Sequence, residues 1–185
     1  MEHIRENIAR IRAQMEQAAL ACGRDPAEIL LCAATKMNDA AAVKAAVAAG
    51  VDCCGENRVQ ELQEKQPQGA YDGKPVHFIG HLQTNKVKQV VGKVDLIQSV
   101  DRLDLLNCIE KQAAKLDIVQ DILLEVNIGD EESKSGFTPE EVIRSGFSSP
   151  AVGFPWWEIT NTAPGTKKQR PCSSPAGSAS PMERK

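Results

Sequence analysis

The sequence has few aromatic residues and no apolar run long enough to cross a membrane. Aromatic side chains make up only 4% of the 185 residues, and Tyr71 is the single tyrosine. The two glycine-rich nucleotide motifs, G-x-G-x-x-G and the Walker motif, do not occur. A net charge of -3 gives the chain no overall attraction for a polyanion. We therefore expect neither a membrane nor a nucleic acid as a partner.

The six cysteines and three histidines lack the spacings of common metal sites. No two cysteines form a C-x-x-C pair. His77 and His81 are four residues apart, but the residues between them are typical of a strand that runs into a loop, whereas a zinc pair at this spacing needs a helix. We therefore predict reduced cysteines, mostly buried, and no metal site.

The first residues do not have the composition of a targeting segment. A secretory signal needs a continuous apolar core, which is missing here. Transit peptides are poor in acidic residues, whereas Glu2, Glu6 and Glu16 lie in this segment. The predicted location is the cytoplasm.

Apolar runs and helical patterns alternate along most of the chain. The first run, residues 29–34 (ILLCAA), is apolar at every position and predicts a strand buried on both faces. Four more strand-like runs follow (VDCCG, VHFIG, DLIQSV and DILLEVNI), each succeeded by a helical pattern. Such alternation predicts an α/β fold with a parallel sheet. The repeat of roughly 20–27 residues is typical of a (β/α) barrel or of an open doubly wound sheet.

Polar side chains follow these strands at the edge where parallel α/β folds carry their sites. They are Thr35, Lys36, Glu56, Asn57, His81, Gln83, Ser99, Asp101 and Asn127. Each alone is explained more simply as a loop residue or a helix cap, but together they favour a small-molecule site. Lys36 follows the most apolar strand, and an amine in such surroundings can attack an aldehyde to form a Schiff base. The alternative is a lysine whose stem packs on the edge while its ammonium reaches water.

Several sequence blocks in this order resemble the pyridoxal phosphate homeostasis protein family. The blocks are LCAATKMND, GENRVQELQEK, HFIGHLQTNKVKQVV and LLEVNIGDEESKSGFTPEE, and the resemblance covers about residues 4–142. It implies a (β/α) barrel of the alanine racemase N-terminal type that carries pyridoxal 5'-phosphate. By the same resemblance, Lys36 forms the internal aldimine and Asn57 lines the face of the cofactor. Lys134 matches the lysine of the family's E-S-K-x-G-F motif.

The resemblance stops near Ser145, and a segment rich in proline follows. The family's later G-L-M, S-M-G-M-S and V-R-I-G segments do not occur, and the resemblance implies that the last two hold the phosphate. We therefore expect a pyridoxal phosphate-binding barrel portion in residues 1–144, with about five of eight strands, and an unrelated, disordered tail in residues 145–185. A truncated form of this kind is expected to retain the cofactor weakly.

The function implied by the resemblance is intracellular pyridoxal phosphate homeostasis, in which the cofactor is bound through a lysine and no substrate is turned over. Pyridoxal phosphate-dependent enzymes are the implied partners, and an open sheet edge favours self-association. Two alternatives stay open: a non-functional truncated fragment, and an amino-acid racemase. A racemase needs a second acid/base residue, commonly a tyrosine, and Tyr71 lies in a polar stretch of the sequence.

Overall fold

The computed structural model describes residues 2–129, 135–145, 152–153 and 160–161. The helices are α1 (Glu2–Ala21), α2 (Ala40–Ala48), α3 (Val59–Lys65), α4 (Leu103–Leu116) and α5 (Pro139–Ser145). The strands are β1 (Cys32–Ala34), β2 (Cys53–Glu56), β3 (Val76–Phe78), β4 (Leu96–Val100), β5 (Gln120–Val126), β6 (Val152–Gly153) and β7 (Thr160–Asn161). Short 3₁₀ helices span Pro26–Glu28, Gln66–Gln68 and Thr84–Gln89. No helix among the described residues combines the length and the apolar character needed to cross a bilayer.

Strands β1 to β5 form a parallel sheet in the order of the sequence. Doubly wound sheets reverse their strand order at a switch point, whereas barrels keep the sequential order. The sequential order therefore selects the barrel type from the two alternatives that the repeat length allows. The predicted α/β fold and its five strands are confirmed. The two-residue strands β6 and β7 both lie parallel to β5.

One face of the sheet is covered by helices and holds the core. Side chains alternate along each strand, so every second residue points to this face. The strands contribute Cys54, Val76, Phe78, Ile97, Ile122 and Leu124 to it. The helices contribute Val43, Val59, Leu62, Leu105, Leu106, Ile109 and Ala113. These helices hold the strands in place, and the loops at the carboxyl ends of the strands are positioned as a consequence.

The other face is more open along β1, and here the sequence prediction is wrong. The apolar run predicts burial of residues 29–34 on both sides, but Leu30 is 68% exposed, and Cys32 and Ala34 are exposed too. The physical reason is that β1 pairs with β2 alone and forms one edge of the sheet. None of the described residues covers the side of β1 that carries Cys32 and Ala34.

Most of the predicted tail lies outside the described residues, namely 146–151, 154–159 and 162–185. Only the backbone of β6 and β7 is described there. The predicted boundary near residue 145 and the predicted disorder beyond it stay predictions. Lys134 also lies outside the described residues.

Candidate functional site

Lys36 and Asn57 both lie at the carboxyl edge of the sheet, beyond the ends of neighbouring strands. Ala34 of β1 pairs with Gly55 of β2, and the two site residues each follow two positions later. The parallel register therefore brings the predicted pair to the same edge. Lys36 is exposed, and its Nζ makes no hydrogen bond or ion pair with any described residue. Its amine is therefore free to react with a ligand.

A second lysine near this edge, Lys65, has a buried ammonium group that is fully hydrogen-bonded. Its side chain is 5% exposed. Its Nζ lies 2.8 Å from the carbonyl oxygen of Thr35, 3.0 Å from Glu56 Oε1 and 3.3 Å from Glu61 Oε2. An ammonium donates three hydrogen bonds at most, so Lys65 is saturated. Sequence reasoning missed this residue, although the Glu61–Lys65 spacing of four is a recognisable helical pair.

The buried carboxylate of Glu56 is the centre of this network. It is 0% exposed, and its Oε1 accepts hydrogen bonds from Thr35 Oγ1 at 2.6 Å, from Lys65 Nζ and from Tyr71 Oη at 3.1 Å. Burial, and then the charge of Glu56, raise the pKa of the Tyr71 phenol. Tyr71 lies in a turn after the 3₁₀ helix Gln66–Gln68, in keeping with the polar sequence around it. Its side chain is nevertheless 5% exposed and packs in the core.

The turn that carries Lys36 is held by the same network. Met37 has a left-handed backbone (φ 61°), which is uncommon for a residue with a side chain. Its N–H donates to Glu61 Oε2 at 3.0 Å, while Lys65 binds the carbonyl of Thr35. Asp39 then caps α2 by accepting from the Ala42 N–H at 2.7 Å, as its position before the helix predicts. Both sides of Lys36 are thus fixed to α3.

Protonation of Glu61 at low pH should weaken its contact with the turn that carries Lys36. Burial alone would raise the pKa of Glu61, but the Met37 N–H and the Lys65 ammonium outweigh it and lower the pKa below its ordinary 4.5. A carboxyl group with a lowered pKa contributes stability above its unfolded pKa and loses it as the pH falls through the folded value. We therefore expect Glu61→Gln to reduce the free energy of unfolding in urea near neutral pH. The difference from the wild type should shrink as the pH falls below 4.5. A difference that does not depend on pH would contradict this.

Asn57 has an enclosed oxygen without a partner. Its Oδ1 makes no hydrogen bond among the described residues. The backbone of Asn57 is in close contact with Gly80, where a Cβ would lie 2.7 Å from Asn57 Cα and 2.8 Å from its carbonyl carbon. The carbonyl oxygen of Gly80 in turn accepts from Ser99 Oγ at 2.5 Å. Three neighbouring strands therefore fix the position of Asn57.

Gly80→Ala should shift Asn57, because the added methyl group meets backbone rather than a flexible side chain. Overpacking of this kind costs about 1–3 kcal/mol. Gly55→Ala is the matched control, since the nearest atom to its Cβ is the end of the Ile79 side chain, Cδ1, at 2.7 Å. Urea unfolding should show the larger loss for Gly80→Ala. If Gly80→Ala loses no more free energy of unfolding than Gly55→Ala, the backbone around Asn57 accommodates the methyl group without strain.

An open depression of about 560 Å³ lies beside Asn57. Among its lining residues are Arg58, His81, Gln83 and Lys86. His81 Nδ1 is 3.2 Å from Asp101 Oδ2, and Arg102 binds the other oxygen of Asp101 at 2.6 Å. The predicted polar residues of β3 and β4 are thus brought together at this edge.

The donor set fits an aldehyde that bears a negative charge. Lys36 offers an unbound primary amine, and the enclosed Oδ1 of Asn57, which has no partner among the described residues, can accept from a hydroxyl group once the amide turns toward the depression. Arg58 and Lys86 supply positive charge on the wall of the depression. Pyridoxal phosphate has each of the corresponding groups: an aldehyde, a ring hydroxyl and a phosphate. The described residues therefore fit this cofactor.

Comparison with known proteins agrees with the sequence resemblance. A protein from Aquifex aeolicus named pyridoxal phosphate homeostasis protein is 41% identical over 137 residues, which are 74% of this chain and 60% of the relative. The chain thus spans less than two thirds of that relative's length. A structure of an unknown protein from Bifidobacterium adolescentis superposes with a TM-score of 0.78 at 33% identity, covering 86% of this chain and 69% of the other.

PipY of Synechococcus elongatus, solved with pyridoxal phosphate bound, superposes with a TM-score of 0.65 at 29% identity, covering 84% of this chain and 72% of that chain. The predicted resemblance to pyridoxal phosphate homeostasis proteins is confirmed by these similarities. The family model described as alanine racemase, N-terminal domain, matches residues 1–146. The chain therefore belongs to the family of the alanine racemase N-terminal domain.

Proposed function

We propose that this chain is a cytoplasmic protein of pyridoxal phosphate homeostasis, which binds the cofactor through Lys36 without turning over a substrate. The observation that carries the proposal is the contrast between the two lysines near the sheet edge. Lys65 is buried and fully hydrogen-bonded, whereas the amine of Lys36 is exposed and unbound on a fixed turn. Similarity to a named homeostasis protein and to PipY supports the choice of ligand.

When bound, the cofactor supplies an aldehyde carbon with which a primary amine can condense. Lys36 Nζ is the amine in the proposal, and the fixed turn presents it at the edge of the sheet. Asn57 Oδ1 accepts a hydrogen bond from the ring hydroxyl and so orients the ring. Arg58 and Lys86 attract the phosphate.

The proposed role does not include racemization, because none of the described residues places a free phenol at this edge. Racemization requires a second acid/base residue on the far side of the substrate carbon. The only tyrosine of the sequence donates its hydroxyl to Glu56 on the helix-covered side of the sheet. Its raised pKa disfavours the phenolate further. In the proposed role, pyridoxal phosphate-dependent enzymes receive the bound cofactor, and the uncovered edge strand β1 allows self-association.

The test is a titration of the cofactor-free chain with pyridoxal phosphate, followed by borohydride reduction and peptide mapping. One pyridoxyl group per chain is expected, on the peptide that contains Lys36. The same preparation should not racemize free amino acids. Label spread over several exposed lysines, or measurable racemization, would contradict the proposal.

A further inference from the structure

Three potential metal ligands come together on the open face of the sheet, away from Lys36. They are the thiols of Cys32 and Cys53 and a ring nitrogen of His77, and these atoms all lie within 4.8 Å of one another. Each comes from a different strand, β1, β2 or β3. Lys36 and Asn57 each lie four residues after a cysteine of the cluster, beyond the ends of β1 and β2.

The sheet register explains why the three side chains converge. Cys32 pairs directly with Cys53, and their side chains point to the same face. His77 pairs with Gly55, which has no side chain to separate the imidazole from the cysteines. A Cβ at Gly55 would lie only 3.2 Å from Cys32 Sγ. The glycine therefore leaves the space in which the cluster forms.

The three groups suit a zinc ion in type and spacing. Thiolate and imidazole are the ligands that Zn²⁺ prefers, and three protein ligands leave a fourth position open. With Zn–S near 2.3 Å and Zn–N near 2.0 Å, the two sulfurs and the nitrogen of a tetrahedral site lie about 3.5–3.8 Å apart. The three atoms now lie within 4.8 Å of one another, and small rotations of the side chains would bring them to the distances of a zinc site.

The imidazole also has a side chain that can orient it. Gln98 Nε2 lies 2.9 Å from His77 Nδ1. If the amide rotates, its oxygen accepts a hydrogen bond from the Nδ1–H and leaves Nε2 for the metal. Groups that bind the second nitrogen of a ligand histidine commonly fix its orientation in this way. Cys53 is buried, while exposed Cys32 leaves the cluster open to an incoming ion.

The geometry points to a zinc-binding site formed by Cys32, Cys53 and His77, with Gln98 as its positioning residue. The two thiols lose their protons to solvent on binding, and solvent or a small anion completes the tetrahedron. The ligands of this cluster are far apart in the sequence: Cys53 follows Cys32 by 21 residues, and His77 follows Cys32 by 45. No local spacing motif reveals them, which is why the sequence does not predict a metal site.

The test uses the full chain, reduced, with Zn²⁺ measured by competition against a chromophoric chelator. One Zn²⁺ per chain is expected, and Co²⁺ should give the intense visible absorption of tetrahedral thiolate coordination. Cys32→Ser and His77→Gln should each weaken Zn²⁺ binding more than about 100-fold, and Gln98→Leu about 10–100-fold. Cys22→Ser and Cys108→Ser are the controls, since both thiols lie outside the cluster, and should bind Zn²⁺ like the wild type.

A second measurement avoids substitutions that impair folding. Zn²⁺ should slow the alkylation of Cys32 and leave that of Cys22, an exposed thiol in the turn after α1, unchanged. Wild-type affinity in Cys32→Ser, loss of binding in either control variant, or unprotected Cys32 would overturn the site. None of these readouts involves pyridoxal phosphate, so the proposed function does not stand or fall with them.

Discussion

Lys36→Ala should abolish the borohydride-stable attachment of pyridoxal phosphate and leave the stability of the fold unchanged. The other lysine that contacts this turn cannot replace the lost amine, because Lys65 is buried and bound to three acceptors. The exposed side chain of Lys36 makes no polar contact with a described residue, so its removal should change the free energy of unfolding by less than about 0.5 kcal/mol. Mass spectrometry after reduction, together with urea unfolding, measures both effects.

Lys44→Ala is the matched control, because Lys44 is also an exposed lysine, on the following helix α2. The Lys44→Ala variant should carry the reduced pyridoxyl group on Lys36 to the same extent as the wild type. Full labelling of Lys36→Ala at another lysine would show that the assignment is wrong.

Lys65→Met should destabilise the fold strongly, because it leaves a buried charge without its partner. Glu56 is 0% exposed, and in this variant its carboxylate would keep only two donors, Thr35 and Tyr71, with no cation in contact. Removal of one partner from a buried ion pair costs about 3–5 kcal/mol, since the remaining charge stays out of water. The Thr35 carbonyl would also lose its bond to Lys65, and the turn around Lys36 would loosen. Urea unfolding and labelling of Lys36 should therefore both report the change.

The double variant Lys65→Met/Glu56→Gln separates charge from packing. A glutamine removes the unpaired charge, so the double variant should be more stable than Lys65→Met alone. Lys44→Met controls for the introduction of methionine at an exposed position. If Lys65→Met costs less than about 1 kcal/mol, the ion pair is not a stabilising element of this fold.

The sequence predicts the strands better than it predicts which faces are buried. Alternation of apolar runs with helical patterns identifies the five strands β1 to β5. The predicted burial of residues 29–34 is wrong because an apolar strand has the same composition at a sheet edge and at its centre. Helix α1 shows the same limit, because helical spacing puts Ile8 and Ile11 on one apolar face. Ile8 is buried there, but Ile11 is 36% exposed.

Some features of the candidate site can likewise be predicted from the sequence, and others cannot. Lys36 and Asn57 can be placed at one edge because strand ends are visible in the sequence. Apart from its helical pair with Glu61, the contacts of Lys65 cannot be predicted, since they depend on how α3 packs against β2 and on the turn after β1. The sequence also places Glu56 at the edge, but its side chain points to the helix side and acts there as the acceptor for Lys65, Thr35 and Tyr71.

The doubly anchored turn around Lys36 has an entropic consequence for ligand capture. Glu61 and Lys65 restrict the backbone of Thr35 to Met37 when the chain folds, before any ligand arrives. The ordering that accompanies capture is then confined to the side-chain torsions of one lysine, at most about 2 kcal/mol. This cost is the same for every aldehyde that reacts with the amine. If Lys36 captures the ligand as proposed, discrimination between aldehydes comes from the groups around it, such as Asn57, rather than from the lysine itself.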